Sequence, residues 1–146
     1  MRIAYVAVAV VILMTGLLYV SFNPFPGPNS TSTLPGVTCH SFGTNFVILA
    51  NGLGFNDSVD HDVPKTYWPV MCVHMGDTVR ITVENTGGSE PHGFAIAHYY
   101  AQGVSIPAGS NVTVTFAADT AGTFKVYCNI LCSVHAFMLN GLFVVE

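Results

Sequence analysis

The sequence predicts an all-β domain, a Greek-key sandwich or barrel, preceded by one N-terminal transmembrane helix. Three observations predict it: an uncharged apolar run near the N-terminus, a stretch rich in Pro, Ser and Thr behind it, and a series of short β-branched and aromatic runs separated by turn residues. A chain of 146 residues has room for one ordinary domain and such an appendage.

The apolar run extends from Ile3 to Phe22 and carries no charged residue. A helix of about 20 residues spans the ~30 Å hydrocarbon core of a bilayer, so we expect a membrane anchor over residues 1–23. A cleaved secretory signal is the alternative, but Leu18–Phe22 offers no small-residue cleavage site. Because Arg2 precedes the run, the remainder of this single-pass chain is expected on the extracytoplasmic side of the plasma membrane.

Residues 24–36 combine prolines with Ser and Thr, which is typical of a semi-extended linker, and the β domain is expected over residues 37–146. Val79, Ile81 and Val83 alternate with polar residues, as in a half-buried strand. The segment Asn51–Pro69 is expected to be a long loop. Strands are expected at Phe46–Ala50, Val70–Val73, Thr78–Glu84, His92–His98, Asn111–Ala117, Thr123–Cys128 and Leu142–Val145.

Composition and cysteine usage restrict the range of possible functions. Only 8% of the residues are charged and the net charge is −4, which speaks against a nucleic-acid partner, since nucleic acids require basic patches. An exported domain would not usually keep two idle thiols, so Cys39 and Cys72 are candidates for a disulfide bond. Four cysteines allow three pairings, and the sequence does not choose among them.

The late segment Cys128–Met138 holds the residues that point to chemistry. Two thiols, an imidazole and a thioether within eleven residues are ligands that suit copper in both oxidation states. Zinc fits less well because Met is a poor zinc ligand and paired Cys-x-x-Cys motifs are missing. A disulfide bond between Cys128 and Cys132 is a further alternative, but it would leave His92, His135 and Met138 unexplained.

With His92-Gly93-Phe94 at the start of a strand, the segment resembles the cupredoxin superfamily. The likeness is specifically to the CuA domain of subunit II of haem–copper oxidases, in the short form with one membrane helix found in B-type oxidases. It implies two copper ions bridged by the thiolates of Cys128 and Cys132. The ligands implied by the resemblance are His92, Cys128, the backbone carbonyl of Ile130, Cys132, His135 and Met138.

One spacing departs from that family. His135 follows Cys132 after two residues instead of three, as in the Cys-x2-His-x2-Met loop of amicyanin-like blue-copper proteins. Strand alignment from Gly122 makes Cys128 the cysteine at the strand end and Cys132 an added thiol, which a dinuclear centre needs and a mononuclear one does not. A membrane-tethered carrier with one copper therefore stays open. A copper storage or delivery protein is disfavoured by the two histidines.

The resemblance also implies the function. Such a subunit is not catalytic alone; it accepts electrons from an external donor, cytochrome c or a small copper protein, and passes them to a polytopic haem-bearing oxidase subunit I. Two bridging thiolates would spread one electron over both coppers and keep bond lengths nearly constant on reduction. Trp68 is either the point at which electrons arrive or an aromatic anchor for the long loop.

Overall fold

The computed structural model of the protein describes residues 37–62 and 66–146. Short 3-10 helices lie over Ser58–His61 and His135–Met138 in this part of the chain, which otherwise consists of strands and their connections. The strands are β1 (Asn45–Asn51), β2 (Gly54–Phe55), β3 (Val70–Val73), β4 (Thr78–Asn85), β5 (His92–Ile96), β6 (Tyr100–Ile106), β7 (Asn111–Ala117), β8 (Gly122–Tyr127) and β9 (Gly141–Val145).

The strands form two sheets, one with the order β2-β1-β4-β7 and one with the order β3-β9-β8-β5-β6. β1 pairs with β4 and β3 with β9 in parallel, whereas the remaining pairs are antiparallel. The chain passes from β3 in the second sheet to β4 in the first and back to β5 in the second. The prediction of an all-β domain is therefore confirmed.

Side-chain alternation along β4 explains how the first sheet covers the core. Val79, Ile81 and Val83 are each 0% exposed. Thr78, which precedes them, and Arg80, which follows Val79, are exposed. Because successive side chains of a strand point to opposite faces, the valine and isoleucine side chains all face the second sheet. The alternation read from the sequence is thus confirmed.

Aromatic side chains join the two sheets across the core. The rings of Phe55 in β2 and Phe94 in β5 meet edge to face with centroids 6.0 Å apart. At another point in the core Phe116 in β7 meets Phe143 in β9 at 5.5 Å. Such pairs contribute about 0.5–1.5 kcal/mol beyond the burial of their area.

All seven expected strands are present, and their ends differ from the expected ones by at most two residues. Two strands were not expected. β6 escapes a search for β-branched runs because it contains Gly103, with a φ of 67°, and several exposed residues. The expected long loop Asn51–Pro69 was wrong in part, since it contains β2 and the first 3-10 helix.

A disulfide bond joins Cys39 to Cys72 in β3, with the two Cα atoms 5.9 Å apart. It resolves the choice of pairing that the sequence left open. The Gly43 N–H donates a hydrogen bond of 3.0 Å to the Cys72 carbonyl, so the segment before β1 lies along β3 at this point. The remaining cysteines, Cys128 and Cys132, are free thiols.

The expected anchor over residues 1–23 and the linker over residues 24–36 lie outside the described residues. Among the residues that the structure describes, no helix is long and apolar enough to cross a membrane.

Loss of the disulfide bond should destabilise the domain. Cys39 and Cys72 are 33 residues apart, and cross-linking a loop of that length is worth about 3–4 kcal/mol in the chain-entropy model. We expect the variant with Cys39→Ser and Cys72→Ser to lose about that much of its free energy of unfolding in urea. A reductant should lower the stability of the Cys128→Ser, Cys132→Ser control, which keeps the bond, and leave the first variant unchanged. Equal sensitivity of both variants to the reductant would contradict this.

Candidate metal centre

The site is formed by a short loop between β8 and β9. Cys128 directly follows the end of β8, and Met138 ends the 3-10 helix that precedes β9. The Cys128 N–H donates a hydrogen bond of 2.8 Å to the Met138 carbonyl, which brings the two ends of the loop together. The rigid strands on either side therefore fix where the loop begins and ends.

Sulfur atoms cluster inside this loop. The Cys128 and Cys132 Sγ atoms are 3.9 Å apart, and the Met138 Sδ lies 3.7 Å from the Cys132 Sγ. The Cys128 thiol also donates to the Ile130 carbonyl at 3.0 Å. The ligand atoms of Cys128, Cys132 and His135 lie within 4.8 Å of one another. The structure thus brings five of the six expected ligands into one group.

His92, the sixth, is the first residue of β5 and is 1% exposed. Its imidazole is not part of the group of three within 4.8 Å. Its neighbour Gly93, however, donates its backbone N–H to the Cys128 Sγ at 3.1 Å, so the start of β5 lies against the loop. Burial lowers the pKa of His92, although the charge of Glu90 opposes the shift. His92 is therefore neutral at pH 7, the form in which imidazole binds metals.

The two histidines share an unusual feature, because the Nδ1 atoms of His92 and His135 are both buried with no hydrogen-bond partner. A buried polar atom without a partner typically costs about 1–3 kcal/mol, so such atoms are rare. A metal ion bound at these nitrogens would give each of them a partner. Together with two thiols and one thioether, the donor set fits copper.

Burial raises the pKa of Cys132 to about 11, and the neighbouring Cys128 thiol adds to the shift. Cys132 is therefore a thiol, not a thiolate, at neutral pH when no metal is present. Since a metal binds the thiolate, uptake of a metal at Cys132 must release a proton.

Two glycines let the neighbouring strands approach the loop closely. A Cβ atom at Gly93 would lie 2.3 Å from the Asn129 Oδ1 and 2.8 Å from the Asn129 N, and one at Gly103 would lie 2.5 Å from the Asn129 Nδ2. Asn129 donates from this Nδ2 to the Gln102 carbonyl at 3.1 Å. It thus ties the loop to β6, a role that the sequence analysis missed.

Glu90 is a second residue that the sequence analysis missed. The Ser133 N–H donates to both Glu90 carboxylate oxygens, at 3.1 and 3.2 Å, and the Ser133 hydroxyl donates to one of them. These hydrogen bonds hold the pKa of Glu90 below its usual range, and the bond from the Ser133 hydroxyl has the largest effect. No local pattern reveals a contact between residues 43 positions apart.

Trp68 is half-buried and well tied to its surroundings. Its Nε1 donates to the Asn56 carbonyl at 2.6 Å, and its ring stacks on His61 with centroids 4.1 Å apart. The Trp68 N–H donates to the Asn140 carbonyl at 3.0 Å. These contacts favour the interpretation of Trp68 as a loop anchor.

No protein-family model matches the chain, and no curated protein does either. Several solved structures are similar to the chain. Na-dithionite reduced auracyanin from the photosynthetic bacterium Roseiflexus castenholzii has a TM-score of 0.52 at 17% identity, over 73% of this chain and 99% of that chain. Copper nitrite reductase from Nitrosomonas europaea has a TM-score of 0.54 at 22% identity, over 70% of this chain and 41% of that chain.

A chain from a heme-copper terminal oxidase dimer has a TM-score of 0.51 at 18% identity, over 98% of this chain and 97% of that chain. At such low sequence identity, the structural similarity shows that the folds are alike and no more than that. Taken with the two-sheet topology, it shows that the domain has the cupredoxin fold.

Substitution of Gly93 should separate β5 from the loop. Gly93→Ala places a methyl group where Asn129 lies, and overpacking of this kind costs about 1–3 kcal/mol. Gly52→Ala is the matched control, because nothing lies within 4 Å of a Cβ atom there. We expect urea unfolding of the full chain in detergent to show the loss for Gly93→Ala and a change within about 0.5 kcal/mol for Gly52→Ala. Equal stability of the two variants would contradict the close approach.

The raised pKa of Cys132 should slow its alkylation. With a pKa of about 11, roughly one thousandth of this thiol is ionised near pH 8, against about a quarter in an unfolded chain. Iodoacetamide should therefore modify Cys132 of the metal-free protein more than about a hundredfold more slowly than it modifies the urea-unfolded chain. Fragment masses separate Cys132 from Cys128. A rate that stops rising below about pH 9 in the folded protein would contradict the raised pKa.

Proposed function

We propose that this chain is a copper electron-transfer protein with a dinuclear, CuA-like centre, and that it serves as subunit II of a haem–copper respiratory oxidase. The observation that carries the proposal is the pair of buried thiols 3.9 Å apart, at the loop that also brings in Met138 and His135. One metal ion needs one such thiolate at a strand end. A second thiol at this distance suits a bridge between two ions.

Copper bound here would supply one-electron oxidation and reduction. The residues of the chain would hold the ligands still through that change. Cys128 is fixed by the end of β8 and by the N–H of Gly93, and Met138 by its backbone bond to Cys128. Because the strands determine these positions, little rearrangement should accompany electron transfer. Cys128 is 1% exposed and Cys132 9% exposed, so the site is largely shielded from water.

One observation favours the alternative of a centre with a single copper. His135 follows Cys132 so closely that its N–H donates to the Cys132 carbonyl at 3.2 Å, within a single turn. In this alternative Cys128, His92, His135 and Met138 would bind one copper, and Cys132 would not be a ligand. The chain would then be a membrane-tethered electron carrier.

Two observations support the oxidase role: structural similarity to a chain of such an oxidase, and a disulfide bond typical of an oxidising compartment. A chain of a heme-copper terminal oxidase matches over nearly the whole of both lengths. The Cys39–Cys72 disulfide suits an oxidising exterior, such as the extracytoplasmic side of the plasma membrane. We propose that the domain is tethered there by residues 1–23, receives electrons from cytochrome c or a small copper protein, and passes them to a haem-bearing subunit I.

Copper content and electron paramagnetic resonance test the number of ions. We expect two coppers per chain and more hyperfine lines than one copper nucleus gives. Cys132→Ser should abolish that spectrum because it opens the bridge, whereas Met138→Leu should shift it more mildly, since thioether bonds to copper are long. One copper per chain with a four-line spectrum, unchanged by Cys132→Ser, would favour the mononuclear carrier.

Association is tested separately from copper content. Gentle solubilisation of the native membrane should yield this chain together with a larger, haem-containing polytopic subunit. Isolation as a monomer without haem would contradict the oxidase role and leave the dinuclear centre to be judged by its spectrum.

A further inference from the structure

We infer that Glu90 is a positioning residue that holds Cys132 beside Cys128 and thereby allows the site to bind a second copper. The inference rests on the proposed function. Glu90 lies two residues before His92 and receives three hydrogen bonds from Ser133, the residue after Cys132. Its carboxylate thus links the β5 side of the site to the loop without itself supplying a ligand.

The loop segment that follows Asn129 is joined to the rest of the domain by few other hydrogen bonds. Within the described residues, the hydrogen bonds that tie residues 130–134 to the rest of the domain are those from Ser133 to Glu90. The remaining bonds of this segment, such as the one from the His135 N–H to the Cys132 carbonyl, stay within the loop. Leu131 is 91% exposed, whereas Cys132 lies in the hydrophobic core and Ile130 and Val134 pack against that core. Cys132 is therefore held by this packing and by the hydrogen bonds of its neighbour Ser133 to Glu90, whereas Cys128 is held by the Gly93 N–H.

Glu90 can bear this role because its own backbone is fixed. The Asn85 Nδ2 donates to the Glu90 carbonyl at 3.0 Å and to the Ile106 carbonyl at 3.0 Å. Asn85 is the last residue of β4 and is 1% exposed, and Ile106 is the last residue of β6. The backbone of Glu90 is therefore attached, through the buried Asn85 amide, to strands of both sheets.

The two cysteines should respond differently when the carboxylate is removed. Cys128 keeps the end of β8, the N–H of Gly93 and its backbone bond to Met138. Cys132 loses the bonds that fix the residue next to it. The separation of the two sulfur atoms, 3.9 Å in the intact loop, would then no longer be held. A centre with one copper at Cys128 should survive, whereas the bridge should not.

The experiment compares Glu90→Ala and Glu90→Gln with the control Asp119→Ala, each in the full chain in detergent. Asp119 is an exposed carboxylate that accepts a hydrogen bond from the neighbouring Thr120 hydroxyl. Without metal, amide hydrogen exchange by nuclear magnetic resonance reports on Ser133. With copper added in excess and then removed by desalting, the copper-to-chain ratio and the electron paramagnetic resonance spectrum report on the site.

We expect Glu90→Ala to speed exchange at Ser133 at least about tenfold, because an amide that loses its acceptor opens more readily. The copper ratio should fall from two to one with a four-line spectrum. Glu90→Gln keeps an acceptor oxygen and should retain two coppers, which separates positioning from charge. Asp119→Ala should change neither readout. If Glu90→Ala does not fold, Ser133→Ala should show a smaller loss of the second copper.

Unchanged exchange at Ser133 together with two retained coppers in Glu90→Ala would overturn the inference. So would the loss of both coppers in the folded Glu90→Ala variant, because Cys128 would then depend on Glu90 as much as Cys132 does. A wild-type chain that binds one copper would instead refute the dinuclear centre. The exchange rate at Ser133 would still decide whether Glu90 holds the loop.

Discussion

The hydrogen bond from the Gly93 N–H to the Cys128 sulfur is the contact on which the site depends. It joins the first residues of β5 to the end of β8, and it lies where the backbone of β5 meets the loop between β8 and β9. An N–H aimed at sulfur stabilises negative charge there, and the approach is possible because residue 93 has no side chain. This contact keeps His92 beside the loop, and Glu90, whose carbonyl accepts a hydrogen bond from Asn85, precedes His92 by two residues.

The sequence predicts much of the fold because a β strand with one buried face has alternating apolar and polar residues. The alternation of Val79, Ile81 and Val83 reflects a sheet with one buried face, and the structure confirms it. β6 shows no such alternation, because several of its residues are exposed and because Gly103 and the Gln102 carbonyl meet Asn129. Local pattern therefore identifies strands with several alternating core residues, and it misses β6, which lacks that alternation, and β2, which has only two residues.

The residues of the candidate site also fall into those that the sequence reveals and those that it does not. Cys128, Cys132, His135 and Met138 are visible in the sequence because four side chains that suit copper fall within eleven residues. Glu90 and Asn129 are ordinary residue types, and they matter through partners 43 and 27 positions away. Their roles arise from tertiary structure. The orphaned Nδ1 atoms of two histidines and the raised pKa of Cys132 belong to the same group of consequences, since both follow from burial.

The Cys39–Cys72 disulfide has a mechanical consequence. A pulling force that reaches the domain through the chain before Cys39 passes through the sulfur atoms into the middle of β3, and β1 is bypassed. β3 lies parallel to β9 over four residue pairs, so the load is shared across several hydrogen bonds of that ladder at once. For tension applied between that chain and β9, the β3–β9 ladder is thus the part that resists, while β1 and β4 of the other sheet lie outside this path.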